Sequence, residues 1–303
     1  MATASSSTSP PARERAPCCS TSPPRPRRTS GGCTGSGPRR RRSRWPPSRS
    51  SRADWLRAQA ASGPLTLNLD WRGRTVSGVT NNLIAETTSG DKDRVVIAGG
   101  HLDSVGEGPG INDNGSTAAA LLQTALKLAP MQHTATNRVR FIWWGAEELV
   151  DVGSDYYVDQ LTPAQKQSIL LYLNAEMIGA PNFVSFVMNG PGATSVPFDA
   201  YFTQRHLPYE LAPTTAVGSD HEPFMKAGIP VGGMFGGSVG AKTADQAARF
   251  GGIAGQAYDP CYHQPCDTTA NINPLALDRH SRAFAYAVGW AATTPTITVP
   301  QTP

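Results

Sequence analysis

The sequence predicts an α/β fold built on a largely parallel sheet covered by helices on both faces. Two observations carry that expectation. Short apolar runs alternate along the chain with helix-patterned segments, and three of the runs are apolar at consecutive positions, as strands buried on both faces must be. A third observation points to function: these runs end in acids or histidine. In open α/β sheets, sites are built in the loops beyond the carboxyl ends of strands.

From Ser51 the elements follow in order. Ala53 to Ala61 reads as a short helix, Leu65 to Trp71 alternates as a strand, and Asn82 to Thr87 reads as another. The buried run Val95 to Ala98 is expected to break at Gly99 and Gly100, placing His101, Asp103 and Asp113 in a glycine-rich loop. A helix with a broad apolar face covers Ser116 to Leu128, with Pro130 marking its end. Val139 to Trp144 is the next strand, closed by the acid doublet Glu147 and Glu148. A helix over Ser154 to Leu161 leads to a strand at Ile169 to Leu173, which runs into Asn174, Ala175 and Glu176. Beyond Gly179 the pattern predicts a strand at Phe183 to Met188, a helix at Val196 to His206, a helix at Ser219 to Ala227 with Ser219 or Asp220 near its cap, and a strand at Ile229 to Met234. Residues 236–255 read as an irregular glycine-rich loop with one helix at Thr243 to Phe250. Pro274 to Trp290 forms the final helix, with Asn273 as its cap.

Charge is distributed unevenly. Residues 1–52 hold twelve arginines and one acid, Glu14, a local charge of +11, so the chain's total of +4 leaves −7 for the remainder. The Arg-, Pro- and Ser-rich segment 1–50 is too poor in aliphatic residues to offset the entropy of ordering, and it reads as disordered. It lacks the apolar core of a secretory signal peptide, and no later run is long enough to span a membrane. Basic tails bind phosphates, but no aromatics interleave with this charge. A solvated tail is therefore expected, with neither nucleic acid nor membrane as partner. Cys18, Cys19 and Cys33 lie in that tail, whereas Cys261 and Cys266 bracket the short turn CYHQPC. An isolated pair this close makes a poor structural zinc site and reads as a local disulfide, which implies an oxidising compartment.

Candidate ligands gather at three strand ends: His101 with Asp103 and Asp113, then Glu147 with Glu148, then Glu176. His263 joins from between the two cysteines. Zinc takes imidazole and carboxylate ligands, and a pair of ions needs a carboxylate offering one oxygen to each. Five ligands with one bridging carboxylate would give three protein ligands per ion. Glu147 and Glu148 leave the same strand end in different directions, so one can bind metal while the other serves as a general base.

The motifs GGHLDSV, GINDNGS, RFIWWGAEE, GSDYYV, LNAEMIG, SDHEPF, GIPVGG and GQAYDPCYHQPCD together resemble the di-zinc aminopeptidases that include secreted bacterial leucine aminopeptidases and aminopeptidase Y. The resemblance covers about residues 82–290. It implies a three-layer αβα sandwich with a mixed, largely parallel central sheet and two zinc ions. His101 and Glu176 would hold one ion, Glu148 and His263 the other, and Asp113 would bridge them. Glu147 matches the family's general acid/base, Asp103 the acid that orients the first ligand histidine, and Tyr262 a tyrosine assigned to the oxyanion. The implied activity is removal of amino-terminal residues from peptides, apolar ones by preference, by a secreted and monomeric enzyme. Residues 51–75 resemble the remnant of a protease-associated domain, leaving 76–296 as the peptidase domain and 297–303 as a tail.

Two departures from the family pattern bear on the site. Aspartate is usual where this chain has Glu176, and some secreted members carry arginine where it has Gly218. Three rival readings remain: a carboxypeptidase or a glutaminyl cyclase of the same fold, or a non-catalytic, truncated interaction module.

Overall fold

A computed structural model of the chain describes residues 49–67, 73–74, 76–190 and 194–297. They fall into two units divided between Ser77 and Gly78. In the first unit, the Ala- and Arg-rich segment forms helix α1 (Arg49–Ala61), as good helix formers should. Residues 64–67 have no regular structure, so the strand expected from Leu65 is not formed there. Its remainder, like most of the basic segment, lies outside the described residues.

The second unit is organised by seven strands: β1 (Leu83–Glu86), β2 (Asp91–His101), β3 (Asn137–Trp144), β4 (Ile169–Glu176), β5 (Phe186–Asn189), β6 (Glu210–Pro213) and β7 (Val231–Phe235). Their order across the sheet is β1-β3-β2-β4-β7-β5-β6. β3, β2, β4 and β7 are parallel, β1 runs antiparallel to β3, and β5 runs antiparallel to β7 while pairing in parallel with β6. The sheet is thus mixed with a parallel centre, as the resemblance implied.

The two-residue period of the strands sorts the core into two layers. Val96, Ala98, Leu171, Leu173 and Ala175 pack on one face, against Leu121 of α2 (Thr117–Leu128), Phe198 and Phe202 of α5 (Val196–Gln204), and Phe284 and Val288 of α8 (Pro274–Thr293). Val95, Ile97, Ile142, Trp144 and Tyr172 pack on the other, with Val158 of α3 (Val152–Asp159) and Phe224 of α6 (Glu222–Lys226). Each such large apolar side chain contributes about 1.5–3 kcal/mol on burial. The three-layer sandwich follows. Helices α4 (Pro163–Ser168) and α7 (Ala244–Phe250) complete the set. Asn273 caps α8 as expected, its side chain accepting from the backbone N–H groups of Leu275 and Ala276 at 3.0 and 3.2 Å.

Several expectations are corrected. β2 does not break at Gly99 and Gly100; it continues to His101. The two glycines answer to close neighbours instead. A Cβ on Gly100 would lie 2.5 Å from Thr117 Cγ2, and one on Gly99 would lie 2.6 Å from Trp144 Nε1. The end of α2 is as expected: the α-helix stops at Leu128, and Pro130 falls in the 3-10 turn Ala129–Thr134 that follows. The helix expected from Ser219 starts only at Glu222, and Ser219 and Asp220 do not cap it. α4 and β6 were not expected. The first has a legible signal, Thr162 with Gln165 three residues later forming a capping box around Pro163. β6 is four residues long, without apolar alternation, and ends in proline.

Candidate metal centre

The central parallel strands bring their carboxyl ends together in the order β3-β2-β4, and the predicted residues sit at those ends. His101 is the last residue of β2 and Glu176 the last of β4. Glu147 and Glu148 form a 3-10 turn after β3, entered through Ala146 at φ 61°. Asp113 lies in the irregular turn 111–116, where it and Asn114 depart from helical geometry. His263, at φ 56°, projects from the loop closed by the Cys261–Cys266 disulfide, whose Cα atoms are 5.3 Å apart.

These side chains converge. The two oxygens of Asp113 face different histidines: Oδ1 is 3.2 Å from His101 Nε2 and Oδ2 is 3.1 Å from His263 Nε2. Glu176 Oε1 is 3.3 Å from His101 Nε2, and Glu147 Oε2 is 3.8 Å from the same nitrogen. Glu148 Oε2 is 3.0 Å from His263 Nε2. His101 Nδ1 meets the Asp103 carbonyl at 3.0 Å, with the Asp103 carboxylate farther off at 3.7 Å. That carboxylate instead accepts the backbone N–H groups of Glu147 and Glu148.

Packing so many acids into a buried cluster is costly without positive charge. Burial, joined by the charge of Glu176, pushes Glu147 up to about 10. Burial and Asp113 push Glu148 up to about 7. Burial also raises Glu176 despite the opposing pull of His101. His101 itself is raised well above its ordinary value, because Glu176, Asp103 and Asp113 outweigh the effect of its burial. Asp113 Oδ2, Glu148 Oε1 and His263 Nε2 are buried without a hydrogen-bond partner. Orphaned oxygens and an orphaned imidazole nitrogen, crowded among carboxylates that resist ionisation, fit the donor set of a divalent cation site. Two groups of ligand atoms have the required spacing, His101 with Glu147 and Glu176, and His101 with Asp113 and Glu148.

The cluster opens into a cavity of about 120 Å³, lined also by Met177, Val217, Gly218, Phe235 and Tyr262. Tyr262 stacks on His263, ring centroids 3.8 Å apart. Its phenol is raised well above its ordinary value by burial and by Asp113 and Glu148. At Gly218 a Cβ would meet nothing nearer than Glu222 Oε1 at 3.6 Å, so that wall is open. A larger groove, about 810 Å³, lies elsewhere, between α2 and α8. It holds no cluster of ligand atoms.

Residues 82–288 match the model of Peptidase family M28. The chain belongs to this family. It is 50% identical over 215 residues to leupeptin-inactivating enzyme 1 of Streptomyces exfoliatus, covering 71% of this chain and 49% of that protein. It is 47% identical over 223 residues to an aminopeptidase of Pseudomonas aeruginosa, covering 70% of this chain and 41% of that protein. The chain thus spans less than half the length of either relative. Among solved structures, a zinc aminopeptidase from Bacillus subtilis superposes with a TM-score of 0.57 at 23% identity, over 72% of this chain and 52% of that one. At that identity the likeness establishes the fold.

Within this M28 domain, reasoning from sequence missed residues that hold the cluster in place. Ser219 Oγ donates to Glu176 Oε2 at 2.6 Å. Ser154 Oγ donates to the fully buried Asp220 at 2.8 Å. Asp267 accepts the backbone N–H groups of Asn112 and Asp113 at 2.9 and 3.1 Å, tying the turn 111–116 to the disulfide loop. Ser219 and Asp220 read as helix-capping residues because both are good caps. Nothing local marks them as neighbours of β4 or α3. The remaining histidines are not in the cluster: His280 is buried between Ile178 O and Ser185 Oγ, His221 Nε2 meets Thr214 O, and His133 and His206 are exposed.

Proposed function

We propose that this chain is a zinc-dependent aminopeptidase that hydrolyses the amino-terminal peptide bond of peptides, preferring apolar residues and using two zinc ions. One observation carries the reading: Asp113 presents one oxygen towards His101 and the other towards His263. A carboxylate so placed would offer one oxygen to each of a pair of ions. His101 and Glu176 would complete one site, Glu148 and His263 the other. In this reading residues 76–296 make up the peptidase domain and 51–75 the remnant of a protease-associated domain. The disulfide supports a location in an oxidising, extracellular compartment.

Zinc supplies Lewis acidity, drawing electron density from a peptide carbonyl and easing the loss of a proton from water. Glu147 lines the cavity without being needed as a ligand and serves as the base. It takes the proton of the attacking water and passes it to the departing amine. In the metal-free site its burial raises its proton affinity; the positive charge of bound ions would lower it again and leave the carboxylate free to take the proton. Asp103, by accepting the Glu147 N–H, fixes where that carboxylate starts. Tyr262 stays protonated because burial raises its phenol, so it can donate a hydrogen bond to the oxygen that gains charge. The acid-lined cavity accommodates the free ammonium group of the substrate.

The test is release of p-nitroaniline from leucine p-nitroanilide with a free or an acetylated amine, with and without chelator, alongside zinc content. Cleavage of the free-amine substrate alone, abolished by chelator and restored by zinc, is expected. Equal cleavage of both substrates, or full activity without metal, would overturn the reading.

A further inference from the structure

Tyr172, Asn174 and Glu176 occupy alternate positions of β4, so their side chains leave one face of the sheet in a row from the core to the strand end. Trp144, at the end of β3, joins Tyr172 in the core layer on that face. β2 lies between these two strands, and the indole reaches across it. Trp144 Nε1 donates to Tyr172 Oη at 2.8 Å, and Tyr172 Oη donates to Asn174 Oδ1 at 2.8 Å. Asn174 Nδ2 then donates to Ser219 Oγ at 3.1 Å, and Ser219 Oγ donates to Glu176 Oε2 at 2.6 Å. All five residues are buried.

The direction of this chain follows from what each group can offer. Indole N–H donates only. It occupies the Tyr172 oxygen as acceptor, and the phenol hydrogen is left for Asn174. The Asn174 amide must therefore turn its oxygen to Tyr172 and its NH₂ to Ser219. Ser219 accepts that bond, and its own hydrogen is left for Glu176. A second observation concerns the strand crossed on the way. A Cβ on Gly99 of β2 would lie 2.6 Å from Trp144 Nε1 and 2.7 Å from Tyr172 Oη. Gly99 is not in the left-handed region, so its missing side chain answers to space, and the space is that of the Trp144–Tyr172 hydrogen bond.

We infer that Trp144, Tyr172 and Asn174 are positioning residues for Glu176, acting through Ser219 as a one-way hydrogen-bond chain. A donor of fixed direction holds Oε2, and Oε1, 3.3 Å from His101 Nε2, is left for the metal. A glutamate places its carboxylate through three torsions, so a donor fixed on one oxygen removes much of the freedom that would blur the other. The inference rests on the reading of Glu176 as a zinc ligand.

The test compares Tyr172→Phe, Asn174→Leu and Gly99→Ala with the full-length parent and with Glu176→Ala. The readouts are zinc dissociation constants from chelator competition, the visible spectrum of the cobalt(II)-substituted protein, and melting of the metal-free protein. Tyr172→Phe keeps a ring that can stack on Phe224, 4.2 Å away, so it folds even where a bulkier change does not and decides the matter alone if need be. About tenfold weaker zinc binding at one site, with a changed cobalt spectrum, is expected in all three chain variants. Parent-like zinc affinity and spectrum in Tyr172→Phe, even with a lower melting temperature, would overturn the inference. Parent-like affinity in Glu176→Ala would overturn the ligand reading and the inference with it. Loss in Glu176→Ala beside parent-like chain variants would overturn the inference alone.

Discussion

The Asp103 carboxylate accepts a hydrogen bond from the backbone N–H of Glu147 at 3.1 Å. Its other oxygen accepts from Glu148 N–H at 3.3 Å, so one residue beyond β2 sets the stance of both acids beyond β3. The His101 imidazole, 3.7 Å away, and the hydrogen bonds from these two amides hold Asp103 below the usual carboxylate range despite burial. Asp103→Ala frees both amides and should lower zinc affinity by about ten- to a hundredfold, with turnover falling alongside. Chelator competition and steady-state kinetics check this. Unchanged affinity would mean that the 3-10 turn holds its shape unaided.

Glu147→Gln keeps the shape of the side chain and removes its proton acceptor. Zinc content should stay near that of the parent while kcat falls by about 10²–10⁴ and KM changes little. Metal analysis beside kinetics decides, and near-parent kcat would move the base elsewhere.

Stability of the metal-free protein should depend on pH in a defined direction. Burial raises Glu148 to about 7 and Glu147 to about 10, whereas both titrate near ~4.3 in an unfolded chain. Between those limits the folded protein binds more protons than the unfolded one, so stability falls as pH rises. His101, also raised, acts in the same direction. Asp103, held low, contributes stability that is lost only as pH falls through its folded value, below this window. Thermal melts of chelated protein should therefore show a lower midpoint at pH 8 than at pH 5.5. Saturating zinc should shrink or invert that difference. A midpoint that rises with pH in chelator would contradict the raised proton affinity of these buried acids.

The Cys261–Cys266 bond closes a loop of sequence separation 5, too short to restrain much of the unfolded chain. Its effect should be local, on the orientation of Tyr262 and His263. Cys261→Ser paired with Cys266→Ser should weaken zinc binding while the metal-free midpoint moves by only a few degrees. Loss of folding with zinc affinity retained in the residual folded fraction would reverse the assignment.

Much of the site was legible because His101, Glu147, Glu148 and Glu176 sit where buried apolar runs stop, and that pattern survives in one dimension. The supporting groups were not. Ser219 touches Glu176 only because β7 lies beside β4 and the segment before α6 folds over that edge. Ser219 beside Asp220 looks the same in sequence whether it caps a helix or braces a ligand. Gly99 and Gly100 were read as a break because glycine usually weakens a strand. Their role depends on Trp144 and Thr117, which are remote in sequence and adjacent in the sheet and helix layer. The strand order itself, with β1, β5 and β6 antiparallel to the centre, follows from pairings that apolar periodicity does not encode.

The carboxylate that fixes the Asp113 amide belongs to Asp267, 154 residues further along the chain. Because a ribosome delivers residues in order, the turn 111–116 emerges long before its acceptor exists, and before His263 has been added. Until Asp267 arrives, nothing clamps Asp113 between its two histidines. On the proposed assignment, a nascent chain stalled at any earlier codon can gather acids but cannot assemble the paired centre. On that assignment, metal loading waits until the segment from His263 to Asp267 has been made.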